Sequence, residues 1–434
     1  MGLSSSLNAG VQGLAANATK LATISDNIAN SATYGYKRAD TEFSNMVLQQ
    51  GNGTYTAGGV RVTTFKDVSA QGTLISTQNP TDISIAGRGM LPVTTTAGLS
   101  ASGAERPFEL IATGSFAPDQ NGFLATKSGL YLMGWPANPN GTVTVPGRDS
   151  TAGLEPINVT KNQFIAAPTT TVKLGVNLPA SATTAGASGA PFDLPVEYFD
   201  TLGRSQTLDL TFTPTVPASG SSNEWTVTAT DSAGNPSATI ATFTVTFDDA
   251  VGTGGSILNV VDGAGATYDA TTGAVAINVA GGPVSLQIGK PGDGGPMTQL
   301  SSDFSPINVT KDGAPIGSLA NIAIDAQGRL DAIYDNGFRR TIYQVPVADV
   351  PNMDGLTALN NQAFQLSQQS GAVFLWDAGT GPVGTTVGNT LAQSTTDIAK
   401  ELTDLIQTQR AYSSSAKIIQ TVDEMLQETT NLKR

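Results

Sequence analysis

The sequence contains no cysteine and no histidine among its 434 residues. The absence of cysteine excludes disulfides and thiolate nucleophiles, and the absence of both excludes the usual zinc and transition-metal sites. The lack of histidine also removes the commonest general base of enzymes. Only chemistry based on carboxylates or lysine remains, such as a glycosidase pair or a calcium site.

Charged residues are also scarce, at 13% of the chain, and acidic residues outnumber basic ones by 35 to 22. This balance argues against a nucleic-acid partner, because phosphate binding needs clustered lysine and arginine. No run of eighteen apolar residues occurs, so we expect no membrane insertion. The first residues lack the basic and apolar regions of a secretory signal, so we expect no cleaved signal peptide.

The patterns that could carry chemistry are weak. Asp248 and Asp249 are adjacent in a predicted strand, so their side chains point to opposite faces. Residues 325–328 resemble the start of a calcium loop but lack its further oxygen ligands. Residues 289–295 are glycine-rich, yet Pro291 stands where a phosphate loop needs serine or threonine. We therefore predict no catalytic, cofactor or metal site, and no enzyme.

What the sequence does contain, near each end, is a set of mostly apolar residues that recur at alternating steps of four and three positions. The N-terminal repeat comprises Leu7, Val11, Leu14, Ala18, Leu21, Ser25 and Ile28. The C-terminal repeat comprises Ile398, Leu402, Leu405, Gln409, Tyr412, Ala416 and Ile419, with Leu426 one heptad further. This spacing places each set on one helical stripe, as in the seam of a coiled coil. We predict helices over residues 3–30 and from near Gly388 almost to Arg434. The large apolar members are the candidate self-assembly residues, buried against the other end of the chain or another copy.

The sequence between these helices predicts short strands. Alternating apolar segments indicate an antiparallel barrel or sandwich at residues 194–199, 207–213, 224–229 and 241–247. Hairpin turns are expected at residues 119–122 and 336–337, and the glycine-rich residues 350–390 are typical of a loose connection. The predicted fold is therefore a multi-domain, mainly β protein, with antiparallel β domains carried on paired terminal helices.

Shifts in composition divide the chain into four regions. They are a terminal helical core (1–30 and 388–434), linker segments (31–70 and 363–387), an inner β domain (71–150 and 300–362), and an outer β domain inserted in it (151–299).

One hexapeptide, Pro-Ile-Asn-Val-Thr-Lys, occurs at Pro156–Lys161 and again at Pro306–Lys311. The copies bracket the insertion. Our hypothesis is that they are related strands at which the insertion leaves and rejoins the inner domain. The alternative is that they are two unrelated extended segments.

Residues 24–37, Ile-Ser-Asp-Asn-Ile-Ala-Asn-Ser-Ala-Thr-Tyr-Gly-Tyr-Lys, resemble the N-terminal signature of the flagellar rod and hook protein family. Residues 397–406 and 409–412 resemble the closing helix of the same family. Residues 388–396 depart from it, since the family usually has Asn-Val after the position of Ser394. The positions that carry the signature are Asn27, Asn30, Tyr34, Gly35, Lys37, Gln409 and Arg410.

Residues 196–208 resemble the outer domain of hook-type members, which the shorter distal-rod members lack. The resemblance implies a structural subunit of the extracellular bacterial flagellar hook. Many copies would form a homo-polymer, a short curved hollow tube that acts as a universal joint and transmits motor torque to the filament. The terminal helices would line its core, and the β domains would form its outer layers.

The same resemblance implies the partners. These are the distal rod, the hook cap, the hook–filament junction proteins and the flagellar type III export apparatus. Some members carry a Phe-x-x-x-hydrophobic export motif near the N-terminus. Leu3 and Leu7 occupy the matching positions here and form a candidate export motif, with leucine in place of phenylalanine.

Two other interpretations remain open. A distal-rod protein would form straight rather than curved tubes. An unrelated extracellular carbohydrate-binding protein or glycosidase would need a pocket with paired carboxylates and would work as a monomer.

Overall fold

The computed structural model describes residues 3–46, 57–101, 103–145, 147–234 and 237–431. Its two long helices are the N-terminal helix (Leu3–Ala29) and the C-terminal helix (Ile398–Asn431). Short helical turns lie at Ala97–Ser100, Gly103–Glu105, Thr160–Asn162, Ala180–Thr183 and Met353–Gly355. The other described elements are strands, so the prediction of a mainly β body with helical ends is confirmed.

The start of the C-terminal helix was predicted wrongly. Thr385–Gly388 and Thr390–Ala392 are strands, and the helix begins only at Ile398. Asn389 between the two strands has φ +56°, a left-handed conformation that interrupts a helix. Asp397 sets the helix start, because its Oδ1 accepts hydrogen bonds from the first turn, including one of 2.9 Å from the Ala399 N–H.

The chain divides into two compact units. The first comprises Met1–Asn162, Asn321–Ile333 and Arg339–Arg434, and the second comprises Gln163–Ala320 and Tyr334–Phe338.

In the first unit, an antiparallel hairpin of Ala39–Asn45 and Val60–Lys66 follows the N-terminal helix. The second of these strands alternates in sequence, Val-Arg-Val-Thr-Thr-Phe-Lys, as a strand with two unlike faces does. The first strand went undetected, because its sequence Ala-Asp-Thr-Glu-Phe-Ser-Asn contains only one large apolar residue.

The rest of this unit is a network of antiparallel strands. One path of hydrogen-bonded neighbours runs through Arg329–Tyr334, Arg339–Gln344, Tyr131–Pro136, Leu91–Thr94, Glu109–Ile111, Ala363–Gln365 and Thr357–Ala358. A second path joins Thr385–Gly388, Asp82–Ala86, Thr113–Pro118, Leu124–Thr126 and Tyr131–Pro136. The short strand Glu155–Pro156 pairs with the last of these strands. Separate pairs are Leu74–Ser76 with Thr390–Ala392 and Val347–Asp349 with Phe374–Trp376. The predicted turns at 119–122 and 336–337 each join two paired strands.

Residues 363–387 are part of this β network, which corrects the expectation of a loose connection. Phe364 and Leu375 belong to the same buried cluster as Trp135 and Met133. The glycines of this stretch serve tight turns instead. At Gly381, with φ +62°, an added Cβ would lie 2.7 Å from the ring of Trp376.

The second unit is a sandwich of two sheets. One sheet is an antiparallel meander of Phe192–Phe199, Ser205–Pro214, Glu224–Asp231, Ala238–Phe247 and Ile257–Asp262. The other contains Thr267–Asp269, Ala274–Val279, Gly282–Gln287, Thr171–Pro179, Met297–Leu300 and Ser305–Lys311. Within it, Thr171–Pro179 runs parallel to Gly282–Gln287 and Met297–Leu300. Phe164–Ala167 pairs separately with Ala314–Ile324.

Both sheets contribute side chains to one core. Trp225, Phe212 and Phe243 come from the meander, and Leu174 and Leu286 come from the facing sheet. Strand Glu224–Asp231 alternates strictly between partly and fully buried residues. This alternation is typical of a strand with one face on the core.

The hypothesis that the two hexapeptides are related strands is wrong. In Pro156–Lys161, Ile157 and Val159 are buried in the first unit. In Pro306–Lys311 the corresponding Ile307 and Val309 are exposed on a strand of the second unit. The same six residues therefore stand in different environments, because tertiary surroundings rather than local sequence decide their burial.

Candidate assembly surface

The two terminal helices pack side by side in opposite directions. Gly10 faces Ile419, since a Cβ added to the glycine would lie 3.3 Å from Ile419 Cγ1. One turn further along, a Cβ on Gly13 would lie 3.6 Å from Ser415 Oγ. The glycines therefore allow a close approach of the helices within one chain.

Small and polar residues make up much of the buried surface of both helices. The buried residues of the N-terminal helix are Ala16, Ile24 and Asn27, and those of the C-terminal helix are Glu401, Thr408 and Val422. The latter recur at multiples of seven, which keeps them on one face of the helix.

The structure distributes the predicted seam residues between partly buried and exposed positions. The partly buried ones are Leu7, Leu14, Leu21, Ile28, Leu405 and Ile419. The exposed ones are Val11, Ile398, Leu402, Tyr412 and Leu426. The side chain of Leu3, from the candidate export motif, lies outside the described residues. Contact with another copy stays a prediction for all of these positions.

One face of the C-terminal helix is apolar and uncovered. Ile398, Leu402 and Ile406 follow each other at intervals of four residues and are 49%, 47% and 53% exposed. Residues at this spacing lie along one side of a helix. The helix therefore has one face against the N-terminal helix and a second apolar face open to solvent.

The signature residue Asn27 ties the N-terminal helix to the hairpin that follows it. Its side chain is buried, and its Oδ1 accepts a hydrogen bond from the Ala39 N–H at 2.9 Å. Its Nδ2 donates to the Ala39 carbonyl at 2.8 Å. The Tyr36 hydroxyl lies 3.1 Å from Asn27 Oδ1 and 3.0 Å from Asp26 Oδ2. Burial and the Asp26 hydrogen bond raise the pKa of Tyr36.

Asn30 and Gly35 shape the turn itself. Asn30 Nδ2 donates to the Asp26 carbonyl at 3.0 Å, and the Thr33 hydroxyl donates to Asn30 Oδ1 at 3.2 Å. Gly35 has φ +72°, where side chains are disfavoured, and a Cβ there would lie 3.1 Å from Thr113 Cγ2. These bonds end the helix and turn the chain towards the β body.

Three further signature positions are exposed. Tyr34 is 49% exposed, and Gln409 and Arg410 lie on solvent-facing parts of the C-terminal helix. The structure therefore does not bring them into the network around Asn27.

A buried ion pair joins the signature turn to the C-terminal helix. Arg38 Nε donates to Oε1 of Glu401, whose side chain is fully buried. Arg38 also contacts Asp40 at 2.7 Å and Asp404 at 3.9 Å. Burial disfavours the charge on Arg38, but the hydrogen bonds to Asp40 and Glu401 outweigh it and raise the pKa. Glu401 Oε2 has no hydrogen-bond partner among the described residues.

Sequence reasoning missed Tyr36, Arg38 and Glu401 as members of this site. The available signal was the seven-residue spacing of Glu401, Thr408 and Ser415, which lie on the side that faces the N-terminal helix. That spacing was not detected, because hydrophobic periodicity gives no weight to polar residues.

Lys37 joins the turn after the N-terminal helix to residues 67–70, which follow the hairpin strand Val60–Lys66. Its side chain is buried and donates to the Ala70 carbonyl. Asp354 accepts hydrogen bonds from the N–H groups of Val68 at 2.9 Å and Ser69 at 3.0 Å. Burial lowers the pKa of Lys37 to about 8, against the opposing attraction of Asp67 and Asp354.

We expect the free energy of unfolding to rise between about pH 8 and pH 10 by an amount that depends on Lys37. In that range the folded protein has released the Lys37 proton. In the unfolded chain the pKa of Lys37 has its ordinary value of 10.5, so the proton is still bound. Stability rises with pH wherever the unfolded state binds more protons, here by at most about 1.4 kcal/mol per pH unit. Urea unfolding at pH 7, 8, 9 and 10 should show this rise in the natural chain and its loss in Lys37→Met.

Lys127→Met is the matched control, because Lys127 is exposed. This variant should keep the pH slope of the natural chain. Identical slopes in Lys37→Met and the natural chain would contradict the assignment.

The described residues contain no cluster of acidic side chains that could hold a metal ion. In the same part of the chain, no helix is both long enough and apolar enough to cross a membrane.

Comparison with family models finds three matches along the chain. Residues 7–37 match the model described as "Flagella basal body rod protein". Residues 173–314 match "Flagellar basal body protein FlaE D2 domain". Residues 387–432 match "Flagellar basal body rod FlgEFG protein C-terminal".

Curated relatives match from end to end. The flagellar hook protein FlgE of Brucella abortus biovar 1 (strain 9-941) is 32% identical over the whole of both chains. FlgE of Rhizobium meliloti (strain 1021) is 33% identical over the whole of both chains. FlgE of Escherichia coli (strain K12) is 30% identical over 98% of each. A solved structure, Helicobacter pylori flagellar hook protein FlgE2, aligns with a TM-score of 0.49 at 13% identity, covering 74% of this chain and all of that one.

Proposed function

The chain belongs to the flagellar hook protein family, and from this membership we propose that it is a structural subunit of the bacterial flagellar hook. Many copies assemble into a short, curved, hollow tube that acts as a universal joint between the motor and the filament. The terminal helices line the tube, and the β units form its outer layers. The division into helical core, inner β domain and inserted outer β domain belongs to this proposal, with residues 363–387, which form strands, counted in the inner β domain rather than as a linker.

The observation that carries the proposal is the second apolar face of the C-terminal helix. Its other side already packs on the N-terminal helix of the same chain, so Ile398, Leu402 and Ile406 need a different neighbour. A helix with apolar residues on two sides is suited to join more than one helix, as in a bundle. A second copy supplies that neighbour, with the partly buried leucines of its own N-terminal helix.

The remaining parts of the proposal concern partners and location. The subunit leaves the cell through the flagellar type III export apparatus, with Leu3 and Leu7 as the candidate export motif. In the assembled flagellum, the tube lies outside the cell and meets the distal rod, the hook cap and the hook–filament junction proteins. The role is structural rather than enzymatic, in keeping with a sequence that lacks histidine and cysteine.

The test is assembly of the full-length chain in a kosmotropic salt, which strengthens apolar burial. Pelleting should show a polymer, and negative-stain microscopy should show curved tubes. Straight tubes would favour the distal-rod alternative. A protein that stays monomeric at every salt concentration, even with preformed tubes as seeds, would contradict the proposal and favour the carbohydrate-binding alternative.

A further inference from the structure

Three asparagine–glycine pairs lie in tight turns of the described residues. They are Asn121–Gly122, Asn140–Gly141 and Asn336–Gly337, and a fourth pair, Asn52–Gly53, lies outside the described residues. In each of the three, the glycine N–H donates to the carbonyl three residues earlier at 2.8–3.0 Å, and the glycine has φ of +79° or +80°. The three turns therefore share one backbone geometry, so any difference in their chemistry arises from what surrounds each asparagine.

An asparagine followed by glycine can lose its side-chain amide without an enzyme. The backbone nitrogen of the glycine attacks Cγ of the asparagine, the Cγ–Nδ2 bond breaks, and ammonia leaves with the proton of the glycine N–H. Water then opens the cyclic imide and leaves aspartate or isoaspartate. Glycine favours the attack because it has no side chain to obstruct it. The attack requires rotation of the peptide plane between the two residues and an asparagine side chain that is free to turn.

At Asn336 the side chain is held from both of its polar atoms. Its Nδ2 donates to the Pro315 carbonyl at 2.7 Å, and its Oδ1 accepts from the Phe338 N–H at 2.9 Å. Gly317 lies against the same amide, since a Cβ added there would stand 2.5 Å from Asn336 Nδ2. The leaving group is therefore anchored, and the side chain is not free to turn.

At Asn121 the peptide plane is held instead. The Asn121 carbonyl accepts hydrogen bonds from Asn158 Nδ2 at 3.0 Å and from the Thr160 hydroxyl at 3.2 Å. The neighbouring Gly122 is buried, and its own carbonyl accepts from the Val159 N–H at 2.8 Å. Rotation of the plane between Asn121 and Gly122 would break the two bonds of the Asn121 carbonyl, so this pair is protected through its backbone.

Asn140 has neither restraint. It is exposed, and among the described residues neither its Nδ2 nor its carbonyl has a hydrogen-bond partner. Its Oδ1 accepts from the Thr142 N–H at 3.1 Å and from the Thr142 hydroxyl at 2.6 Å. These bonds fold the side chain back over residue 141, which brings Cγ towards the Gly141 nitrogen and polarises the Cγ–Oδ1 bond. The group that must leave, the Nδ2 amide, stays free.

The turn around Asn140 is also closed by fewer contacts than the other two. Its flanks meet in an isolated β-bridge between Ala137 and Val143, whereas paired strands flank the other two turns. Local opening costs less free energy where fewer contacts close a segment. Opening releases the Gly141 N–H from the Asn138 carbonyl and leaves its nitrogen available for the attack.

We propose that Asn140–Gly141 is a site of spontaneous deamidation, at which the folded protein converts this asparagine to aspartate or isoaspartate. Water is the co-reactant and ammonia the product, and no enzyme or cofactor takes part. The modification adds one negative charge to an exposed turn of the first unit, and isoaspartate also adds one carbon atom to the backbone. The inference goes beyond the proposed function and does not depend on assembly.

Site-resolved mass spectrometry of the soluble full chain, aged at pH 8 and then digested, tests the proposal. We expect aspartate and isoaspartate to form at Asn140 about tenfold or more faster than at Asn121 and Asn336. In concentrated urea the three sites lose their surroundings, and their rates should agree within about threefold. Equal rates in the folded protein would overturn the proposal. A tenfold lead of Asn140 that persists in urea would also overturn it, because sequence rather than fold would then set the rate.

Thr160→Val tests the protection that separates the sites. Valine keeps the shape of the side chain but removes one of the two hydrogen bonds to the Asn121 carbonyl. We expect deamidation at Asn121 to become about threefold or more faster in this variant, since loss of the bond makes rotation of the peptide plane easier. The rates at Asn140 and Asn336 are the internal controls and should not change. An unchanged rate at Asn121 would overturn the assignment of its protection to the held backbone, and with it the argument for Asn140.

Discussion

Replacing Leu402 and Ile406 together by aspartate prevents the full chain from forming tubes, while the soluble protein keeps its fold. Both side chains are about half exposed in the single chain, so the substitutions remove little internal packing. In a polymer the same positions would place two carboxylates in an apolar contact, and burying unpaired charges is costly. We expect the concentration needed for assembly to rise about a hundredfold or more. Pelleting and negative-stain microscopy measure this rise.

The control is Thr403→Asp with Gln407→Asp, which adds the same charge one residue further along the same helix. Both control positions are exposed and lie on a different side of the helix. The control variant should form tubes at concentrations close to those of the natural chain. Normal tubes from the Leu402 and Ile406 variant would contradict the assignment of this face to assembly. Leu405 is a less informative target, because it is partly buried within the chain, and its aspartate variant would test folding and assembly together.

Local pattern was sufficient for much of the fold. The N-terminal helix and the strands of the meander agree with the expected ones, because their residues repeat with the period of the structure that they form. The start of the C-terminal helix was not predictable in this way. It depends on the cap at Asp397 and on the left-handed Asn389, which are visible only as single residues in a polar stretch.

Contacts between distant parts of the chain determined burial where the local sequence pattern did not predict it. Residues 363–387 contain four glycines and show no clear period of helix or strand, yet Phe364 and Leu375 are buried by strands from distant parts of the sequence. The two hexapeptides make the same point more sharply, since identical sequences are buried in one unit and exposed in the other. Sequence alone gives no information on which of two such copies is covered.

The assembly surface was predicted only in part. Apolar periodicity indicated two helices with seams, and their use between subunits stays a prediction. The contact between the helices within the chain places Gly10 opposite Ile419 and Gly13 opposite Ser415. Small residues let two helices approach closely, but they contribute little to a hydrophobic pattern. The buried Glu401 was therefore missed, although it holds the signature turn against the helix.

The Arg38–Glu401 ion pair is expected to be the most sensitive part of this junction. Arg38→Met leaves the fully buried Glu401 without its partner and also removes the cation beside Asp40 and Asp404. Breaking a buried pair by removal of one member costs about 3–5 kcal/mol in free energy of unfolding. Urea unfolding of the soluble full chain measures this loss.

The double variant Arg38→Met with Glu401→Leu separates the ion pair from simple loss of packing. Replacement of a whole buried pair by apolar residues of similar size is often nearly neutral. Asp40 and Asp404 are partly exposed and stay solvated, so the double variant should regain most of the stability that Arg38→Met loses. Arg204→Met is the control: the Arg204 side chain is 67% exposed, and its partner Asp200, which is 7% exposed, still accepts hydrogen bonds from the backbone N–H groups of residues 202 and 204 at 2.9 Å, so its charge stays compensated. A double variant as unstable as the single one would show that Arg38 acts through its packing. A loss no larger than that of Arg204→Met would show that the buried pair does not hold the junction together.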